Sequence, residues 1–195
     1  MTVREVAVTA YREGVGALAT SVLGGLLAGV VLSGMRAELQ AVPGLIVMVP
    51  ALLATRGNVY GSLGARLATA LHQGLIRPQV RVDDGRLPRA VAAALANGLL
   101  ASGFAALAAF LVLAGTGRCV AGPHVLGAVA LLSGLLSGVA LSTLVVAAVF
   151  VGFRRGYNPD TLVGPVVTTA GDVFGVAFLL LAARTVLLVA DGGCW

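Results

Sequence analysis

The sequence predicts an all-α integral membrane protein with five transmembrane helices, on three observations. Of its 195 residues, 58% are hydrophobic and only 11% charged, against about 25% charged in an ordinary soluble domain. The apolar residues gather into five long runs. Those runs do not alternate apolar with polar residues, as barrel strands would over about ten positions. A soluble globular enzyme and a disordered chain are thereby excluded. Two cysteines are too few for a disulfide-stapled scaffold. The length predicts a single domain over residues 1–195.

The expected spans are 15–32, 42–72, 90–114, 125–152 and 162–190, after a short N-terminal segment, 1–14. A helix needs about 20 apolar residues to cross a roughly 30 Å hydrocarbon core. The last three runs meet this outright and the first narrowly. The first is not read as a secretory signal, because Arg36 and Glu38 follow without a small-residue cleavage site and further spans come after. The second is unusual. It is cleanly apolar only from Val42 to Ala54, about 20 Å of helix. Thr55, Arg56, Gly57, Asn58 and an amphipathic stretch to His72 follow, with Pro43 and Pro50 ahead and Gly57, Gly61 and Gly64 behind. Polar groups at membrane depth must face protein or water, and interrupted helices point to transport sites. The alternative is a short span followed by an amphipathic helix outside the bilayer.

All 13 basic residues are arginine and the net charge is +5. They lie between the apolar runs rather than on one polar surface, so no nucleic-acid partner is expected. Ten arginines fall in the N-terminal segment and the second and fourth links, against Arg36 and Arg118 on the other side, with Arg184 inside the last run. The positive-inside rule then places the N-terminus in the cytoplasm and the C-terminus outside. Cys119 and Cys194 fall on the same outer side. An oxidising compartment allows them to join; two unrelated small residues near span ends is the other reading.

The last run carries the sharpest chemical signal. Ten helical steps from Leu162, about 15 Å, place Asp172 near mid-bilayer. Carboxylates there are costly and mark ion paths. Pro165, Thr168, Thr169 and Asp172 share a helix face by spacing. Pro165 frees a carbonyl one turn earlier. The alternative for Asp172 is an interhelical hydrogen bond, to Asn97 or a threonine. Asp160, after Asn158 and Pro159, reads as a helix-start charge or as part of an inner pore mouth. Arg56 and Arg66 either set that mouth or pack structurally. Pairs Gly25/Gly29, Gly134/Gly138 and Gly171/Gly175 are small-xxx-small packing motifs. His72 and His124 each stand alone, and there is no phosphate loop, no H-E-x-x-H, no C-x-x-C and no Ser–His–Asp set, so no enzyme is expected.

Two stretches resemble a known family. Pro50-Ala-Leu-Leu-Ala-Thr-Arg-Gly57-Asn58-Val-Tyr-Gly-Ser through His72 is similar to the second span of the MgtE magnesium channels and their solute-carrier relatives. Asn158-Pro159-Asp160 through Gly164, Pro165, Thr168, Thr169 and Asp172 is similar to their last span. The run from Arg66 to Ala70 resembles the solute-carrier branch more closely. The resemblance covers nearly the whole chain, although bacterial channels carry a large cytoplasmic sensor where about 14 residues precede the first run here. It implies a homodimer with its ion path on or near the two-fold axis, Asp172 from each subunit at the central site, and Mg²⁺ as the ion, with Mn²⁺ and other divalent cations as further candidates. One carboxylate per subunit at a two-fold axis suits a dication that keeps several waters.

The function expected is divalent-cation transport across the plasma membrane by a multi-pass dimer in contact with lipid. Asp172, Thr168 and Thr169 act at the ion, and Gly57, Asn58, Gly164, Pro165 and Asp160 line the path. Sodium- or proton-coupled exchange and a non-transporting membrane scaffold are the alternatives.

Overall fold

Long apolar runs with few breakers leave the backbone one way to satisfy its own hydrogen bonds away from water, which is to become helix. The computed structural model describes residues 3–76, 85–156, 159–190 and 193–194, with the side chains of the last long helix described from Val163 onward. Its helices are α1 (Val3–Gly34), α2 (Arg36–Ala41), α3 (Leu45–His72), α4 (Arg86–Gly115), α5 (Pro123–Arg154) and α6 (Pro159–Leu187). The five expected runs thus correspond to α1, α3, α4, α5 and α6. The short α2 was not expected. Helix also begins at Val3, well before the first apolar run.

Among the described residues, three helices are long and apolar enough to cross a bilayer: Arg86–Gly115, Pro123–Arg154 and Val163–Leu187. The apolar part of α1, Leu18–Gly34, is shorter. In α3, 28 residues make about 42 Å of helix, but Arg56, Asn58 and Arg66 dilute its apolar character. Length and hydropathy thus mark three of the five expected spans. The structure also corrects the expectation of an interrupted second helix. α3 runs unbroken through Pro50, Gly57, Gly61 and Gly64. Pro50 lies near its start, so the single carbonyl it orphans costs little of the helix.

Helix α6 packs on α1, α3 and α5, while α4 packs on α3 and α5. Helix α1 rests mainly on α6, and Leu18, Val22, Leu26 and Val30 on its other side are exposed. The helix pair meets where Gly24 lies against Thr169, so close that a side chain at Gly24 would strike the Thr169 side-chain methyl. The expected pair Gly25/Gly29 has open space instead, because a rotation of one residue turns a helix face by about 100°. Gly134 and Gly138 do pack as expected, against Ser102 and Leu95 of α4 and the Tyr60 ring of α3.

One end of the bundle is tied three ways. Cys119 and Cys194 form a disulfide with Cα atoms 5.2 Å apart. The Ala121 amide donates to the Pro43 carbonyl at 2.8 Å. Arg184 Nε donates to Glu38 Oε1 at 2.7 Å. Gly44 takes a left-handed φ of 97° to start α3 and leaves no room for a side chain beside Leu113 and Val120. Glu38 is 7% exposed, and the Arg184 hydrogen bond, ahead of its own backbone contact, holds its carboxyl below the ordinary glutamate range. Arg184, inside the last apolar run, thus has a carboxylate partner within the chain.

Candidate functional site

The buried apolar residues fall into two clusters rather than one. The first gathers Leu45, Met48, Leu52, Leu126, Val129, Val176 and Leu179 toward the disulfide end. The second gathers Tyr60, Leu63, Leu141, Val145, Val163 and Val167 toward the other. Between them every core-forming helix turns small or polar at a matching depth: Arg56 on α3, Gly98 and Ser102 on α4, Ser133 to Gly138 on α5, and Thr168 to Gly175 on α6. Ser102, Ser133 and Ser137 are buried, and each donates back to its own helix, to Gly98, Ala130 and Ser133 respectively. Such back-bonding is how hydroxyls are tolerated inside helices.

On α6 the belt carries the expected site residues. Asp172 stands 13 residues after Pro159 and 15 before Leu187, roughly 20 Å from either helix end. Its side chain is half-buried, and among the described residues it has no hydrogen bond or ion pair. Asn97, the alternative partner, is exposed on α4 and instead borders a cavity of about 60 Å³ with Ser62 and Arg66. Thr168 and Gly164, one and two turns earlier, are exposed, and Pro165 is half-buried. The Thr168 hydroxyl donates to the carbonyls of Gly164 at 3.0 Å and Pro165 at 3.2 Å. Its proton is thus engaged along the helix and its oxygen lone pairs are left outward, the orientation a cation or its water needs.

Thr169 is placed differently from Thr168. It meets Gly24 of α1, and its Oγ1 is buried with no hydrogen-bond partner among the described residues. The sequence spacing put both threonines on the Asp172 face. The structure divides them, Thr168 outward and Thr169 into the α1–α6 contact. On α3, Asn58 is exposed and Gly57 half-buried. Asn58 belongs to an uncovered stripe of small and polar residues, Ala51, Ala54, Asn58, Ser62, Ala65 and Thr69, spaced three and four apart on one helix face. Asn158 and the Asp160 side chain lie outside the described residues.

Arg56 was left open by the sequence. It is 4% exposed and points into the belt, where Nη2 donates to Ser133 Oγ at 3.1 Å. The signal that could have found this contact is Ser133 and Ser137 at i,i+4, interleaved with Gly134 and Gly138: a small polar face on an otherwise apolar helix. The His72 ring lies tilted against Phe153, ring centroids 5.7 Å apart. Among the described residues no three His, Cys, Asp or Glu side chains converge on one point. A cation site assembled within one chain would therefore rest on few charged ligands.

The fold and this belt define a multi-helix membrane protein with polar groups at mid-depth, Arg56 and three serines buried, Asp172 half-buried, and Thr168 and Asn58 exposed. The family model for MgtE, described as a divalent cation transporter, matches residues 49–182. That match covers more than half of the chain and takes in α4 and α5 with most of α3 and α6, so the chain belongs to the MgtE family. This is a family of transporters rather than enzymes, and divalent cations are its cargo.

Proposed function

We propose that two copies of the chain form a Mg²⁺ channel in the cell membrane, with Asp172 of each copy at the central ion site. The observation that carries this reading is the uncovered face of α6. A carboxylate at the middle of a long apolar helix costs about 2.5–3.5 kcal/mol on insertion scales, yet among the described residues none is hydrogen-bonded or ion-paired to it. A second copy related by a two-fold axis brings the same face opposite. Two carboxylates then neutralise one dication, which attracts both. Without the ion they would repel, and one would tend to keep a proton.

Thr168 offers hydroxyl lone pairs beside the ion or its waters. Gly164 and Pro165 continue the path along α6, toward Asp160. The α3 stripe around Gly57 and Asn58 supplies its second wall, since α3 packs on α6. Thr169 holds this stretch of α6 against α1. In this reading all five long helices cross the bilayer. α1 and α3 are completed as spans by lipid on one side and by the partner on the other. The exposed arginines Arg89, Arg154 and Arg155 mark the cytoplasmic end, and the disulfide marks the outer end.

The test is Mg²⁺ uptake by purified protein in liposomes, with Mn²⁺, Co²⁺ and Ca²⁺ in parallel and with no imposed Na⁺ or H⁺ gradient. Asp172→Asn keeps the shape and removes the charge. Uptake should fall to background while crosslinking still shows a dimer. Wild-type uptake by a dimeric Asp172→Asn protein would remove the assignment.

A further inference from the structure

Arg56 is a charged side chain inside the membrane-depth core with little to hold it. Its one hydrogen bond is to Ser133, and Nε and Nη1 have no partner. Among the described residues no carboxylate pairs with it. Removing a guanidinium from water without a counter-ion is costly, so its placement asks for an anion within reach.

The nearest carboxylate along the facing helix is that of Asp172. Arg56 Nη1 fills a notch left by Gly175 of α6 and lies 2.7 Å from where a Gly175 side chain would begin. Gly175 is three residues after Asp172, so the two positions are neighbours on the helix, with about 5–6 Å between their Cβ positions. Arg56 therefore occupies the layer next to Asp172 along α6. Its flexible stem spans such a distance by rotation about its own torsions, and its planar fork fits a carboxylate with two parallel hydrogen bonds.

We propose that Arg56 is a built-in competitor for the cation: its guanidinium alternates between Ser133, which leaves Asp172 to the metal, and Asp172 itself, which displaces the metal. The inference rests on the reading of Asp172 as the ion site. The charges balance in both arrangements. Two Asp172 carboxylates are neutralised either by one dication or by two guanidinium groups, and electrostatic repulsion keeps the two from being present together. The cation then has to outcompete a tethered guanidinium, so the Mg²⁺ concentration for half-maximal flux is raised by the fraction of time that Asp172 is taken.

The experiment measures Mg²⁺ flux against Mg²⁺ concentration for the full chain in liposomes, with three variants. Arg56→Gln removes the competitor and should lower the half-saturating concentration roughly three- to tenfold. Ser133→Ala removes the resting partner, frees the guanidinium for Asp172 and should raise it. Asp172→Asn should abolish flux. A purely structural role for Arg56 predicts lower maximal flux and a lower thermal midpoint in both variants, with no opposed shift in half-saturation. If Asp172→Asn is inactive while neither other variant shifts half-saturation, the competitor is refuted and the ion site stands. If Asp172→Asn transports normally, the ion-site reading itself has failed. Should Arg56→Gln not reconstitute as a folded dimer, Ser133→Ala decides alone: a raised half-saturation supports the competitor, and an unchanged one overturns it.

Discussion

Replacing Cys119 and Cys194 together by serine removes a covalent tie that closes a loop with a sequence separation of 75. A fully unfolded chain would lose closure entropy equivalent to about 4.5 kcal/mol for a loop of that length. In a membrane mimetic the helices persist after tertiary contacts are lost, which shortens the effective loop. Outside α5 and α6 only 13 residues lie between the two cysteines, and a loop of about that size is worth about 3 kcal/mol. The serine variant should therefore lose about 3–4.5 kcal/mol. For a chain of this size that corresponds to a fall in thermal midpoint of very roughly 6–18 °C. The assay is thermal unfolding of purified protein in detergent, comparing oxidised parent, reduced parent and double-serine variant, with thiol alkylation under denaturing conditions as the control. Reduced parent and variant should agree with each other and lie well below the oxidised parent. Equal midpoints for all three, or free thiols in the unreduced protein, would refute the reasoning.

The Glu38–Arg184 pair predicts a pH dependence. Because the Glu38 carboxyl is held below the ordinary glutamate range by Arg184, its contribution is complete above that range and lost as pH falls through the lowered folded-state value; Arg184→Met should weaken this acid sensitivity, measured as midpoint against pH from 3 to 7. Two glycine variants separate packing from exposure. Gly138→Val drives a side chain into Tyr60 and Leu95 and should cost about 1–3 kcal/mol, whereas Gly25→Val meets open space and should leave the detergent melting curve near the parent. A parent-like melt for Gly138→Val would show that the α3–α4–α5 contact is misplaced.

Much of the helical layout was legible because hydropathy over 20 residues depends only on local composition. The depth of Asp172 was legible for the same reason: a count along a helix converts directly to distance. Contacts were less so. Gly25/Gly29 matched a packing motif and met nothing, while Gly24 next door carries the α1–α6 crossing. Spacing defines which residues share a face but not which way that face is turned. Thr168 and Thr169 were inseparable by spacing for the same reason, and only the position of α1 sends one inward.

From the sequence alone came the helical class, the apolar runs, the unusual polarity of α3 and the single deep carboxylate on α6, all properties of one segment at a time. The tertiary structure decided what depends on two segments at once. It joined Cys119 to Cys194 rather than leaving them apart, brought Glu38 to Arg184 across 146 residues, and turned Arg56 inward onto Ser133 beside Gly175. Each of these depends on helix rotation and crossing, which arise from the fit of whole surfaces rather than from any one stretch of chain.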